Sequence, residues 1–98
     1  MNATGPRPQA REHRQRVLKR ASILIDVNTS EIGCTVRNQT SGGAELRLPT
    51  GTSAPDEFLL YVPLDRTAYR CQVRWRADDR IGVQFTGTEP KPRWHYGA

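Results

Sequence analysis

A chain of 98 residues and 11.1 kDa has room for one small domain with a single modest core. With 36% apolar residues and a mean hydropathy of -0.70 it has no run near the roughly 18 consecutive apolar residues of a membrane span. The polar opening MNATGPRPQAREHRQR has no apolar stretch to serve as a secretory signal, so no membrane insertion and a cytoplasmic location are expected. The net charge of +5 is local: residues 1–20 hold six basic side chains against one acid, and the other 78 residues are balanced at nine each. An anionic partner for that N-terminal stretch is the leading idea. Thirteen of the 15 basic residues are arginine, whose planar fork suits phosphate and guanine edges.

Residues 1–15, with Pro6 and Pro8, read as a flexible basic arm. The stretch from Pro8 to Ala21 has only Ala10, Val17 and Ala21 as an apolar stripe, too poor to carry a functional helix. Ile23, Ile25 and Val27 alternate with Ser22, Leu24 and Asp26, the period of a half-buried strand that Asn28 ends in a turn. Ile32, Cys34 and Val36 form a second strand closed by the polar cluster NQTSGG. Ala44, Leu46 and Leu48 make a short third strand stopped by Pro49, and Phe58, Leu60 and Val62 make a fourth stopped by Pro63.

The fifth strand has the clearest alternation, with Tyr69, Cys71, Val73 and Trp75 on one face and Arg70, Gln72, Arg74 and Arg76 on the other. The first row is expected to be core, Trp75 and Tyr69 included, and the arginines a solvated face. Asp78 and Asp79 turn the chain into a sixth strand of Ile81, Val83 and Phe85, before the proline-rich tail TEPKPRWHYGA with Trp94 and Tyr96. The expected fold is all-β, a small six-stranded antiparallel barrel over residues 16–87 between the arm at 1–15 and a tail at 88–98. Its inner row is Ile23, Ile25, Cys34, Val36, Leu46, Leu60, Cys71, Val73, Ile81, Val83 and Phe85.

Catalytic readings fail on residue types. The two histidines, His13 and His95, lie in polar terminal segments with no nucleophile or carboxylate at a useful spacing. Cys34 and Cys71 are far apart with no metal-ligand spacing, and read as buried thiols on strands. No glycine-rich loop opens a helix, which removes the common nucleotide folds. The chain is expected to be no enzyme and to need no cofactor or metal.

What remains is a basic arm leading into strand one and the turn Asn38-Gln39-Thr40-Ser41-Gly42-Gly43 leaving strand two. Here the sequence resembles the PilZ domain family, which carries an RxxxR motif before its first strand and a [D/N]xSxxG motif at the end of its second. The resemblance runs over about residues 10 to 87, and RIGVQF is similar to the family's closing G-V-x-F. It implies a receptor for the bacterial second messenger cyclic di-GMP, with Asn38, Thr40 and Gly43 on the turn motif. RxxxR occurs five times in the chain, so position decides which copy matters. If strand one starts near residues 17 to 22, the pair belongs at positions 10 and 14, where Arg14 fits and Ala10 does not; Arg11 or Arg16 would supply the second guanidinium, or the Arg16/Arg20 pair would serve in a shifted register. Thr40 replaces the family's usual serine, keeping the hydroxyl and adding a methyl.

The resemblance therefore implies a cyclic di-GMP receptor or adaptor that relays the second messenger to an unidentified protein effector through Arg11, Arg14, Arg16, Asn38, Thr40 and Gly43. Two other readings stand beside it. One is a degenerate PilZ-like domain that acts only through protein contacts, for which Ala10 speaks. The other is a small basic β-barrel that binds nucleic acid through the arm, against which stands the lack of exposed aromatics at alternating strand positions.

Overall fold

β-branched and aromatic residues recurring every second position fold as strands, because successive side chains on a strand point to opposite faces. The computed structural model describes residues 15–26 and 31–92. It contains β1 (Gln15–Leu24), β2 (Ile32–Thr40), β3 (Gly43–Arg47), β4 (Glu57–Val62), β5 (Thr67–Ala77) and β6 (Arg80–Glu89), with a 3-10 turn, Pro63–Asp65, between β4 and β5. All neighbouring pairs are antiparallel. The strand order β1-β2-β3-β6-β5-β4 closes on itself through β1 and β4, so the predicted six-stranded barrel is the observed fold. The closing ladder is short, pairing Ser22, Ile23 and Leu24 of β1 with Tyr61, Leu60 and Leu59 of β4.

The barrel is filled by Ile23, Cys34, Val36, Leu46, Leu60, Cys71, Ile81 and Val83, all expected inside, together with Ala21, Leu48, Ala54, Phe58 and Val62. Val73, Phe85 and Tyr69 are half-buried and pack against this core, and the Tyr69 and Phe85 rings stack with centroids 4.4 Å apart. Burial raises the thiols of Cys34 and Cys71 to about 12 each; Cys71 is also raised by the charge of its neighbour Cys34.

Three expectations are corrected. β1 starts at Gln15, ahead of the start near residues 17 to 22 assumed in placing the arginine pair. Ile25 lies past the end of β1 and is 37% exposed, whereas Leu24, opposite Leu59 on β4, is only 2% exposed; once the ladder stops, alternation no longer dictates a side chain's direction. Val27 and Asn28, like the arm before Gln15 and the tail aromatics Trp94 and Tyr96, lie outside the described residues.

Trp75 is the third correction, since it is 46% exposed and not core. Val73 pairs with Val83 but Trp75 pairs with Gly82, so two steps along β5 match one step along β6. Arg74 is the extra residue of a β-bulge, and a one-residue insertion moves everything beyond it to the opposite face. The indole therefore lies on the outer surface, against Gly82.

Candidate ligand-binding site

A second bulge shapes the other side of the same surface. Arg37 pairs with Glu45 and Gln39 with Ala44, which leaves Asn38 as the unpaired residue of β2. Its φ of +40° is in the left-handed region, where asparagine is among the few non-glycine residues found with any frequency. The Asn38 amide Nδ2 donates to Glu45 Oε1 at 3.1 Å, and Glu45 Oε2 in turn accepts from Arg80 Nη1 at 3.2 Å.

The hairpin from β2 to β3 is held by Thr40. Its Oγ1 accepts from the Gly42 amide at 3.1 Å and donates to the Gly43 carbonyl at 3.4 Å. This is the local side chain to backbone pattern that makes threonine a turn former. The hairpin also touches β6, where the Phe85 amide donates to the Gly42 carbonyl at 2.9 Å. Gly43 does not have a positive φ; among the described glycines only Gly51 does. Gly43 is needed for another reason, because a Cβ there would collide with the Val83 carbonyl oxygen.

Between the two bulges the outer face of β2, β3, β6 and β5 forms an open cleft of about 590 Å³, lined by Asn38, Thr40, Gly43, Glu45, Arg74 and Trp75 among others. That volume lies in the range of small-molecule sites, about 300–1,000 Å³. The cleft presents an aromatic face, a guanidinium, a carboxamide and a hydroxyl, which suit a flat heteroaromatic with an anionic group, together with the Glu45 carboxylate held by Asn38 and Arg80. Arg74 forms no ion pair among the described residues, while Arg70 and Arg76 on the same strand bind Glu89 at 3.1 Å and Asp56 at 2.7 Å. The expected solvated row of arginines is exposed, and only Arg74 faces the cleft.

Of the residues singled out in the sequence, Asn38, Thr40 and Gly43 come together in this cleft. Arg11 and Arg14 lie outside the described residues, and Arg16 is described only by its backbone in β1. The register places the root of the arm: Gln15 is the Cα partner of Gln39, the residue between Asn38 and Thr40. Trp75 and Gly82 were missed as site residues because alternation assigned Trp75 to the core. The signal for them was a tryptophan facing a glycine across the β5–β6 hairpin.

The Asn38 bulge turns Gln39 the other way, into the barrel mouth. Lys19 Nζ donates to Gln39 Oε1 at 2.9 Å and to Asp65 Oδ1 at 2.8 Å, while Tyr69 Oη donates to Asp65 Oδ2 at 2.6 Å. Gln39 Nε2 adds a bond to Asp65 Oδ2 at 3.3 Å. Burial pushes the Asp65 carboxyl up, but these hydrogen bonds and the Lys19 charge outweigh it and hold it below the ordinary value. Burial and the adjacent carboxylate push the Tyr69 phenol up to about 12. One polar cluster thus ties β1, the motif, the 3-10 turn and β5 together beside the cleft.

The model of the PilZ domain matches residues 8–95, nearly the whole chain, and the chain belongs to this family. The family consists of non-catalytic receptor domains that generally bind cyclic di-GMP. No curated protein matched the sequence. No helix among the described residues is long and apolar enough to cross a membrane, and no group of side chains among them has the make-up of a metal site.

Proposed function

We propose that this domain is a cyclic di-GMP receptor that relays the second messenger to a protein effector. The observation that carries the reading is the pairing of Gln15 with Gln39, which roots the arginine-rich arm beside the cleft of Asn38, Thr40 and Gly43. Cyclic di-GMP offers two guanines and two phosphates. Arginine can fork onto guanine O6 and N7 or pair with phosphate, and Trp75 offers a face on which a base can stack. Arg14, one residue before Gln15, and Arg11 or Arg16 supply the guanidinium groups, and Asn38 addresses a base edge.

A second reading, a protein-contact domain without nucleotide, has its own support. Asn38 already donates to Glu45, whose carboxylate stands in the cleft where an anion would bind, and position 10 is alanine. Calorimetric titration of cyclic di-GMP into the wild-type chain, Arg14→Ala and Ala10→Arg separates the two. Receptor function predicts measurable heat for wild type, its loss in Arg14→Ala and tighter binding in Ala10→Arg. Absence of binding in all three overturns it in favour of the protein-contact domain.

A further inference from the structure

Among the described residues, Glu45 is the only carboxylate that lines the cleft, two residues beyond the end of the turn motif. The ladders set its place. One row of Cα partners runs from Arg37 to Glu45 across β2 and β3, from Glu45 to Gly82 across β3 and β6, and from Gly82 to Trp75 across β6 and β5. Paired residues of antiparallel strands turn their side chains to the same face. Gly82 has no side chain, so the Trp75 indole covers its place and comes next to Glu45 in the row.

The carboxylate is held firmly. The Glu45 side chain is only 18% exposed; Oε1 accepts from Asn38 Nδ2 at 3.1 Å and Oε2 from Arg80 Nη1 at 3.2 Å. A carboxylate has about four lone-pair sites, so one bond on each oxygen leaves an acceptor position on each. The Asn38 amide likewise has a second hydrogen to donate. The cleft thus sets two fixed acceptors and a donor side by side, next to an aromatic face.

Phosphate offers no donor to a carboxylate and is repelled by its charge, so Glu45 has no use in gripping the anionic part of a ligand. The Watson–Crick edge of guanine is different, with O6 as an acceptor beside the donors N1–H and N2–H. Adenine puts a donor at N6 and a bare acceptor at N1, which a carboxylate opposes. We infer that Glu45 is a specificity residue that reads guanine N1–H and N2–H, while Asn38 addresses O6 and Trp75 carries the face of the ring. This role rests on the receptor reading and deepens it, since the one acidic group of the cleft becomes the group that selects the base.

Calorimetry on the full chain tests it with three ligands: cyclic di-GMP, cyclic di-IMP, which lacks only the N2 amino group, and cyclic di-AMP. Wild type should bind cyclic di-GMP about tenfold or more tightly than cyclic di-IMP, the scale of a lost base-edge contact, and cyclic di-AMP more weakly still. In Glu45→Ala the affinities for cyclic di-GMP and cyclic di-IMP should become nearly equal. Glu45→Gln, which keeps the shape and an acceptor for Asn38, should narrow the difference between the same two ligands with the barrel intact. Equal binding of these two ligands by wild type, or an unchanged ratio in both variants, would overturn the inference and leave Glu45 as an anchor of the Asn38 bulge, with the receptor reading standing. No binding of any of the three by wild type would overturn the receptor reading and this role with it.

Discussion

Asn38 has two separable roles, which substitutions can divide. Its φ of +40° makes it a backbone device, and its carboxamide makes it a cleft group bonded to Glu45. Asn38→Gly should keep the bulge at little cost, whereas Asn38→Ala places a Cβ in the left-handed region and should cost about 1–2 kcal/mol in a urea melt. Both remove the carboxamide, so both should weaken cyclic di-GMP binding by about 1–3 kcal/mol if it reads a base edge. Equal affinity in wild type and Asn38→Gly would reduce the residue to a bulge former. Gly43 is constrained by space and not by φ: Gly43→Ala drives a Cβ into the Val83 carbonyl and should destabilise the β3–β6 ladder by about 1–3 kcal/mol, visible as a lowered urea midpoint.

At the scale of elements, two bulges on strands separated by β3 and β6 convert a closed barrel into one with a cleft on its wall. The Arg74 bulge puts the Trp75 indole outside, where it rests on Gly82 with no room for a Cβ beneath it. Gly82→Ala should lift the indole off β6 and shift its fluorescence toward that of a fully hydrated tryptophan. In a Trp94→Phe background that signal comes from Trp75 alone. An unchanged emission maximum would mean that the ring is not seated on the glycine. Because the ring is part of the proposed site, the same variant should weaken cyclic di-GMP binding in calorimetry.

For the whole molecule, the cluster of Lys19, Gln39, Asp65 and Tyr69 is the polar plug of an otherwise apolar barrel, and its contribution depends on pH. The Asp65 carboxyl is held below its ordinary value when folded, so its stabilising effect is complete above the ordinary carboxylate range and is lost as pH falls through the folded value. Asp65→Asn should lower the melting temperature at neutral pH and flatten its decline on acidification. A parallel acid limb in wild type and variant would show that Asp65 is not coupled to folding. The buried thiols give a second global probe. With both raised to about 12, Cys34 and Cys71 should resist a thiol reagent at mildly alkaline pH until the barrel unfolds, so their modification rate should follow urea unfolding.

Alternation of apolar and polar residues was enough to determine six strands, an antiparallel barrel and most of its core, because the side-chain period of a strand is set by local backbone geometry. The turn residues placed the ends of β4 and β5, whereas β2 runs on to Thr40 through the first three residues of the expected turn; the Asn38-x-Thr40-x-x-Gly43 spacing still marked one wall of the cleft. Only the tertiary structure decided where alternation is interrupted. A bulge is a mismatch between two strands and is invisible in either one alone, so pairing with β3 and β6 was needed to turn Gln39 inward and Trp75 outward. The same holds for Gly43 and Gly82, whose missing side chains matter through the Val83 carbonyl and the Trp75 indole, partners distant in sequence and brought near by closure. Closure likewise sets Lys19 against Asp65 and leaves Leu18 and Leu64 outside them, a consequence of packing between elements that no local pattern encodes.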